Sequence, residues 1–334
     1  MTGGNVDDHE GVQSLTMPTA WAPNTEAPGR FFARLRENKK EGLFVSLWLR
    51  GKEVAEQVKS SIAAEVRNFE ERGTQPKVVT ILVEGDAASA YYAKSKAKMA
   101  SQLGIDYEIC RFKPSVSQEV LVSTIKRLNR DASVHGIMVE LPLPAHIDTA
   151  TVMSVVAPYK DVDGLTTVNR HANITGEQGI YPATPLAAVR LLKHYGFTPS
   201  GKHVALVGFG QTVGQPLFHL LVRENATVTV CHVGTPDVSR HTLASDIIFV
   251  AVGKAGLITP DMVHERHVIV DAGINEVEGT GIVGDVDPTV AEKVHALSPT
   301  PGGVGTVTTV QLFDNLMRAV HWQEQLGVLE RTSA

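Results

Sequence analysis

The sequence predicts a two-domain α/β protein with a parallel sheet in each half. From about residue 50 onward, apolar runs of strand length alternate with segments of helical periodicity, which is the pattern of βα units. The Pro-Ser-Gly-Lys stretch at 199–202 interrupts this alternation, and a new strand follows it. With 334 residues, 43% of them hydrophobic, the chain is long enough for two ordinary domains.

The first half is predicted to contain three strands and five helices. The strands lie at 77–83, 107–112 and 136–139, where apolar residues predominate. Helical patterns cover 51–72, 87–103, 118–129, 149–156 and 184–195. Gly104 is typical of a helix C-cap, and the Leu-Pro-Leu-Pro segment at 141–144 ends the third strand.

The second half is predicted to be a compact, doubly wound unit. Its strands lie at 203–207, 226–231, 246–250 and 267–271, with a helix at 213–224 after the first of them. A last long helix is expected to cross back to the first domain. We therefore place the first domain at 45–198, completed by helix 303–323, and the second domain at 199–302. Residues 1–44, punctuated by Pro18, Pro23 and Pro28, are predicted to form a flexible amino-terminal arm.

Composition argues against several classes of protein. The net charge of −5 and the pI of about 6.2 predict no general attraction to nucleic acid. The apolar stretches are shorter than the ~20 residues of a membrane helix, so no membrane partner is expected. Cys110 and Cys231 cannot form a disulfide framework or a Cys-rich zinc site, and the histidines have no metal-ligand spacing. We expect a metal-free protein of a reducing compartment, the cytoplasm.

A glycine-rich turn between a strand and a helix predicts nucleotide binding in the second domain. Gly208, Gly210 and Gly214 have the spacing G-x-G-x-x-x-G, one residue longer than the usual dinucleotide fingerprint. Such a turn lets backbone amides and a helix N-terminus approach a pyrophosphate. A tight turn without a ligand is the alternative, but Gly253 and Gly273 follow two further strands and outline a crevice. No Asp or Glu ends the strand at 226–231, where a partner of an NAD ribose is usual.

Hydroxyls and amines crowd the strand-to-helix junction at 83–99. Ser89, Tyr92, Ser95 and Lys96 follow the strand with the spacing S-x-x-Y-x-x-S-K. Together with further motifs in order, this segment resembles the methylenetetrahydrofolate dehydrogenase/cyclohydrolase, or FolD, family over residues 49–320. The other motifs are V-E-L-P-L-P at 139–144, K-D-V-D-G at 160–164, P-A-T-P at 182–185, the glycine loop, D-A-G-I-N at 271–275, G-D-V at 284–286 and P-G-G-V-G at 301–305.

The resemblance implies an enzyme that oxidises 5,10-methylenetetrahydrofolate to 5,10-methenyltetrahydrofolate by hydride transfer to a nicotinamide. Hydrolysis to 10-formyltetrahydrofolate would follow at the same site. Lys96 would be the catalytic amine, with Glu140 beside it, Tyr92 would stack on or orient the folate, and Asp163 would anchor the pterin. The other folate-binding residues that the resemblance implies are Leu141, Pro142, Gly302, Gly303 and Val304.

The resemblance also implies where the cofactor binds and how the protein assembles. NAD or NADP is expected against the glycine loop and the ends of neighbouring strands. Family members are commonly homodimers through the dinucleotide-binding domain, and the same is expected here. The cofactor-binding residues that the resemblance implies are Gly208, Phe209, Gly210, Thr212, Val213, Gly214, His232, Val233, Val252, Gly253 and Ile274.

One departure from the family pattern concerns the hydrolysis step. The family has Gln where this sequence has Glu140, next to the catalytic lysine. A carboxylate at hydrogen-bond range favours the ammonium form of Lys96 and opposes its use as a base. This predicts a weakened cyclohydrolase with the dehydrogenase kept. The alternative is that Glu140 is itself protonated, mimics Gln and changes little.

A second departure concerns the choice of cofactor. Where the family has Arg and Ser toward the 2′-phosphate of NADP, this sequence has Phe209 and Val233. Loss of a charge-assisted bond weakens NADP binding, so NAD is expected to serve at least as well as NADP. A strong preference for NADP would require a cation outside these motifs, such as Arg223 or Arg240.

Two other functions are open to this sequence. Another two-domain NAD(P) dehydrogenase, such as a shikimate or amino-acid dehydrogenase, would lack the ordered set of Tyr92, Lys96, Asp163 and P-G-G-V-G. A catalytically impaired folate-binding homologue, acting as a regulatory or partner protein, would be consistent with Glu140 and the altered glycine loop. Loss of nucleotide binding, with folate binding kept, would distinguish this folate-binding homologue from an active dehydrogenase.

Overall fold

A computed structural model of the chain describes residues 46–329 and has the α/β architecture expected from the sequence. The predictions for residues 1–44, including the flexible arm, lie outside the described residues. Within 46–329, no helix combines the length and the apolar character that crossing a membrane requires.

The described chain begins with a short strand, β1 (Leu47–Trp48), and continues into helix α1 (Gly51–Glu71). Three parallel strands follow in the spatial order β3-β2-β4: β2 (Lys77–Val83), β3 (Asp106–Phe112) and β4 (Gly136–Val139). β2 is buried along almost its whole length because it lies between the other two strands. The carboxyl ends of the three strands meet at one edge of this sheet, where ligands of α/β proteins bind.

Five helices accompany this first sheet. They are α2 (Ala87–Leu103), α3 (Gln118–Arg130), α4 (Thr149–Val155), α5 (Thr167–Thr175) and α6 (Ala183–His194), and a short 3₁₀ turn (Pro158–Lys160) precedes α5. The sequence pattern did not predict α5. Two of its three buried residues are Asn169 and Asn173, so the helix lacks the apolar periodicity on which such a prediction depends.

The second sheet contains β1 and five further strands: β5 (His203–Val207), β6 (Thr227–Cys231), β7 (Ile247–Val250), β8 (Val268–Asp271) and β11 (Ala296–Leu297). Its six strands are parallel and lie in the order β1-β11-β8-β7-β5-β6. β9 (Asn275–Val277) and β10 (Gly281–Val283) form a separate antiparallel hairpin after β8. The short strands β1 and β11 pair with each other, so the segment before α1 completes the edge of the second sheet.

Three helices belong to the second half of the chain: α7 (Gly214–Arg223), α8 (Ser239–Thr242) and α9 (Val304–Gln325). Short 3₁₀ turns lie at Pro260–Met262 and Pro288–Glu292. α9 packs against α1 and α6, and its Phe313 and Leu316 share a buried cluster with Val78 and Met138 of the first sheet. The last helix therefore returns to the first part of the chain, as the sequence predicts. The exact domain boundaries stay a prediction.

Candidate active site

The first part of the site is the beginning of helix α2, which follows strand β2. Asp86 caps this helix, since its carboxylate accepts hydrogen bonds from the Ser89 amide at 2.7 Å and the Ser89 hydroxyl at 2.6 Å. The Ser89 hydroxyl also lies 3.3 Å from the carbonyl oxygen of Leu141. The start of α2 is thereby fixed to the loop after β4. Tyr92 and Lys96 are four residues apart on α2 and so lie on the same side of the helix.

An ion pair joins α2 to the residue that follows β4. Lys96 Nζ donates to Glu140 Oε1 across 2.7 Å. The two side chains are 16% and 8% exposed, so water screens the pair only weakly. The Glu140 amide donates to the Ile81 carbonyl oxygen at 2.9 Å, which extends the pairing of β4 with β2 by one residue. Strand geometry therefore holds the carboxylate directly against the amine of α2.

Asp163 belongs to the same cluster of charges. Its side chain is half-buried at the surface, yet the surrounding protein removes enough water to raise its pKa to about 7. The Lys96 charge acts in the opposite direction, whereas the carboxylates of Asp161 and Glu140 reinforce the rise. Asp163 can therefore gain or lose a proton near neutral pH.

Buried Asp161 fixes the loop that carries Asp163. Its carboxylate accepts hydrogen bonds from the amides of Gly164 at 3.0 Å and Thr166 at 2.7 Å, and from Asn169 Nδ2 at 2.9 Å. Hydrogen bonds to an ionised acceptor are stronger than neutral ones, so this loop is firmly held. Asp161 thus supports the site through the backbone around Asp163.

Exposed apolar surface borders the cluster of Lys96, Glu140 and Asp163. Tyr92 and Leu141 are each 38% exposed although both are large and mainly apolar. Pro142 follows Leu141 and is also exposed. A flat ring can pack against such side chains while the charged groups bind its polar edge. These three expected folate-binding residues are thus open to a ligand.

The other expected folate-binding residues lie where α1 and α9 begin. The Gly302 carbonyl oxygen accepts a hydrogen bond from the Gly51 amide at 2.8 Å. Gly303 is the N-cap of α9, and a Cβ atom there would come within 2.5 Å of the Pro299 carbonyl oxygen. Val304 is buried as the first residue of α9. Close backbone packing thus explains why a glycine is needed at position 303.

An open cleft lies at the carboxyl ends of β5, β7 and β8. Its lining residues are Gly210, Thr212, Val213, Ala251, Val252, Gly253, Ala272, Gly273 and Ile274. Six expected cofactor-binding residues are among them, whereas His232 and Val233 lie on the loop after β6. Gly208 has a φ of +106°, and a Cβ atom there would meet the Ala251 carbonyl oxygen at 2.1 Å. The cleft is thus walled largely by backbone and small side chains, which fits the close approach of a dinucleotide.

Two buried carboxylates hold the loops of this cleft, and the sequence motifs alone indicated no role for them. Asp285 accepts hydrogen bonds from three successive amides, those of Val252 (2.6 Å), Gly253 (2.9 Å) and Lys254 (2.9 Å). Asp271 accepts from the Gly273 amide at 2.9 Å, and burial raises its pKa to about 7. The signal that could have found them is a carboxylate within a glycine-containing motif after an apolar strand.

Comparison with known proteins identifies the family. Residues 49–163 match the model of the tetrahydrofolate dehydrogenase/cyclohydrolase catalytic domain, and residues 182–324 match the NAD(P)-binding domain of the same family. The chain is 46% identical over 280 residues to bifunctional protein FolD 2 of Desulfitobacterium hafniense, which covers 84% of this chain and 98% of that relative. The chain belongs to the tetrahydrofolate dehydrogenase/cyclohydrolase family. The FolD resemblance expected from the motifs is thereby confirmed.

Solved structures of FolD proteins agree with this assignment. The bifunctional FolD enzyme of Campylobacter jejuni has a TM-score of 0.81 and 36% identity, and the match covers 83% of this chain and 99% of the other. The Trypanosoma brucei FolD, solved with NADP and an inhibitor, has a TM-score of 0.80 and 33% identity over 85% of this chain and 100% of the other. The prediction of a bifunctional dehydrogenase/cyclohydrolase is therefore supported, and the non-catalytic alternative is not.

In this chain, the loops after β5 and β6 present uncharged side chains at the two positions that depart from the family pattern. Phe209 is 38% exposed, and its ring packs edge-on against Phe218 with the centroids 6.0 Å apart. Val233 is fully exposed. The neighbouring His232 accepts a hydrogen bond from the Gly234 amide at its ring Nδ1, across 3.0 Å. Neither Phe209 nor Val233 can form a charge-assisted bond to a phosphate.

Arg223, one of the two cations considered for an NADP phosphate, is engaged elsewhere. Its guanidinium donates to the Asn173 carbonyl oxygen and, across 3.1 Å, to Asn173 Oδ1. It also lies 5.1 Å from the centroid of the Tyr181 ring. Arg223 therefore fastens α7 to α5 and is not free to bind a phosphate. Arg240, the other candidate, is exposed on α8.

Three polar residues near the folate site have structural contacts that the motifs did not indicate. Thr80 Oγ1 donates to the Tyr107 hydroxyl at 2.6 Å, and burial raises the pKa of Tyr107. The buried amine of Lys160 donates to two carbonyl oxygens at the end of α3, and burial lowers its pKa to about 8.

Among the described residues, no group of three or more His, Cys, Asp or Glu side chains could hold a metal ion.

Proposed function

We propose that this chain is an NAD(P)-dependent methylenetetrahydrofolate dehydrogenase with a weakened methenyltetrahydrofolate cyclohydrolase activity. The observation that carries the proposal is the 2.7 Å contact between Lys96 and Glu140, with Asp163 in the same charge cluster. The cofactor cleft adjoins the predicted folate-binding segment, because a Cβ atom at Gly305 would lie 3.9 Å from Ile274 Cδ1.

In the oxidation step, the chain holds and orients the folate. Tyr92 offers an exposed aromatic face to the ring system, and Asp163 binds the pterin by hydrogen bonds. NAD(P), held by the residues that line the cofactor cleft, would supply the acceptor for the hydride that leaves the methylene carbon, so that the substrate is left as the methenyl cation. Because hydride transfer depends mainly on the alignment of two rings, the step does not require a neutral Lys96.

The hydrolysis step places a different demand on Lys96. Water adds to the methenyl carbon, the bond from that carbon to N5 breaks, and 10-formyltetrahydrofolate and a proton are released. A neutral lysine would take the proton from water. The Glu140 carboxylate instead holds this amine in an ion pair, 2.7 Å from Nζ, and so opposes its use as a base. We therefore infer that hydrolysis is slow relative to oxidation and that methenyltetrahydrofolate accumulates.

We also infer that NAD serves this enzyme at least as well as NADP. Phe209 and Val233 occupy the positions from which the family contacts the 2′-phosphate, and Arg223 is bound to Asn173. Without a charge-assisted bond to its additional phosphate, NADP has no advantage over NAD.

We further propose that the enzyme is a cytoplasmic homodimer that assembles through the dinucleotide-binding domain. In the described part of the chain, β6 is the end strand of the six-stranded sheet, so one edge is available for pairing with a second copy. Cys110 and Cys231 are both free thiols, which suits a reducing compartment. Light scattering on the purified protein tests the assembly, and a monomeric mass at micromolar concentration would contradict it.

The proposed activity is tested by mixing the enzyme with methylenetetrahydrofolate and either NAD or NADP and recording the reduced cofactor. We expect folate-dependent reduction, and its absence with both cofactors would contradict the proposal. Lys96→Met is expected to abolish hydrolysis of methenyltetrahydrofolate. Lys94→Met is the matched control, because Lys94 is an exposed lysine on the same helix and its loss should leave both activities unchanged.

A further inference from the structure

We propose that Arg170, on helix α5, is the cation that binds the pyrophosphate of the cofactor from outside the glycine loop. This inference rests on the proposed use of NAD(P). The pyrophosphate carries negative charge in both cofactors, yet residues 208–214 include no basic side chain. A cation that stabilises the bound pyrophosphate must therefore come from another element.

Arg170 already reaches the glycine loop. Its Nη1 donates to Gln211 Oε1 across 3.4 Å, and both side chains are exposed. Gln211 lies midway between β5 and α7, in the turn whose amides and following helix N-terminus face a pyrophosphate in dinucleotide-binding folds. The guanidinium is thus beside the phosphate-binding turn, and it comes from a helix that precedes β5 in the chain.

The helix that carries Arg170 is fixed against the helix that follows the glycine loop. Asn173 Nδ2 donates to the Pro216 carbonyl oxygen in the first turn of α7 across 3.1 Å. Arg223, at the other end of α7, donates to the backbone and side chain of Asn173. Asn169, next to Arg170, is fully buried. Arg170 is therefore presented to the loop from a rigid support, which lowers the entropy lost on binding a phosphate.

The charge of Arg170 is not neutralised by a carboxylate in the described part of the chain. No Asp or Glu oxygen among residues 46–329 forms an ion pair with it. Half-buried Arg190 and Arg318 differ in this respect, since both contact Asp314 at 3.3 Å. A guanidinium held beside a glycine loop without an anionic partner is suited to an anionic ligand.

The pyrophosphate and the 2′-phosphate of the cofactors can be told apart by their positions. The pyrophosphate lies at the glycine turn and is common to NAD and NADP. The 2′-phosphate is found in NADP alone and is expected beyond the end of β6, the strand that precedes exposed Arg240 on α8. Because Arg170 contacts the glycine turn, its loss should weaken both cofactors alike. Loss of a 2′-phosphate contact would weaken NADP alone.

The experiment is fluorescence titration of the full-length enzyme with NADH and with NADPH. Arg170→Gln is expected to raise both dissociation constants by about ten- to a hundredfold, the usual effect of losing a charge-assisted hydrogen bond. The salt dependence of binding should also become shallower. Arg170→Lys, which keeps the charge but loses the planar fork, should bind with intermediate affinity. Arg67→Gln is the matched control, since Arg67 is an exposed arginine on α1.

Two results would overturn the assignment. One is an unchanged affinity for NADH in Arg170→Gln, and the other is a loss confined to NADPH, which would move the contact to the 2′-phosphate. Either result leaves the proposed dehydrogenase intact if the wild type binds cofactor and reduces it with folate. A wild-type enzyme that binds neither NADH nor NADPH would overturn both proposals. Thermal melts of the variants separate a loss of contact from a loss of fold.

Discussion

Replacing Glu140 by Gln is the change expected to alter the balance between the two activities most strongly. At the 2.7 Å separation of Lys96 Nζ and Glu140 Oε1, opposite unit charges attract by about 6 kcal/mol at an effective dielectric constant of about 20. The lost hydration of two largely buried groups offsets several kcal/mol of that attraction. A net attraction of about 2 kcal/mol therefore holds the amine of Lys96 against the carboxylate.

Glu140→Gln keeps a hydrogen-bond acceptor beside Lys96 and removes the charge. Hydrolysis of methenyltetrahydrofolate is therefore expected to speed up by about tenfold or more, because the lysine is no longer held in an ion pair and can take a proton from water. The rate of cofactor reduction should change by less than about threefold, since hydride transfer depends on alignment. The assay follows the decay of purified methenyltetrahydrofolate in the absence of cofactor, and cofactor reduction is measured separately.

Glu108→Gln is the matched control for this substitution. Glu108 pairs with Lys77 at 2.8 Å toward the amino ends of β2 and β3. Replacing it by Gln should therefore leave the rate of hydrolysis unchanged. If wild-type enzyme hydrolyses methenyltetrahydrofolate as fast as Glu140→Gln does, the electrostatic reasoning is wrong. That result would favour the alternative in which Glu140 is protonated and acts as Gln does.

Three further changes test the cofactor preference, the glycine loop and the pterin-binding carboxyl. Phe209→Arg combined with Val233→Ser is expected to raise kcat/KM for NADP relative to NAD by about tenfold, and an unchanged ratio in steady-state kinetics would contradict the cofactor inference. Gly208→Ala forces a Cβ atom to within 2.1 Å of a backbone carbonyl oxygen, so it should lower Tm and abolish cofactor binding, whereas Gly210→Ala has open space and should keep the wild-type Tm in calorimetry. The pKa of Asp163 is raised from 3.8 to about 7, so the folded chain keeps a proton that the unfolded chain releases, and the penalty on folding grows as pH rises through this window. The stability of Asp163→Asn relative to wild type should therefore increase by about 4 kcal/mol as pH rises from about 4 to about 7 and change little above that, and denaturant melts that show a pH-independent difference would refute this.

The long elements could be predicted because each carries its own periodicity. Strand β2 was predicted at its observed bounds, and helix α1 ends one residue before its predicted end. The short strands β1 and β11 could not be predicted, since two residues show no alternation and they pair only because the fold brings distant segments together. Helix α5 was missed because two of its buried residues are Asn169 and Asn173. Their side-chain amides form hydrogen bonds inside the protein, and no local sequence pattern reveals such partners.

The candidate site could be predicted where an ordered motif carried it. Tyr92, Lys96 and Asp163 came from motif resemblance, and the structure brings Lys96, Glu140 and Asp163 into one charge cluster. The roles proposed for these residues stay predictions. Asp285 was not recognised as a support of the cofactor cleft, because a carboxylate after a strand gives the same pattern whether it binds a ligand or a backbone loop. Arg170 was not considered because its helix was not predicted.

The proposal of a dehydrogenase with weakened hydrolysis is tested most directly by one progress curve of the wild-type enzyme. Methylenetetrahydrofolate is supplied with NAD or with NADP, and the absorbance of methenyltetrahydrofolate is followed together with the reduced cofactor. We expect turnover with NAD at least as fast as with NADP, and methenyltetrahydrofolate should accumulate nearly in proportion to the reduced cofactor. Rapid turnover with NADP alone, with immediate conversion to 10-formyltetrahydrofolate, would contradict the proposed effects of Glu140, Phe209 and Val233.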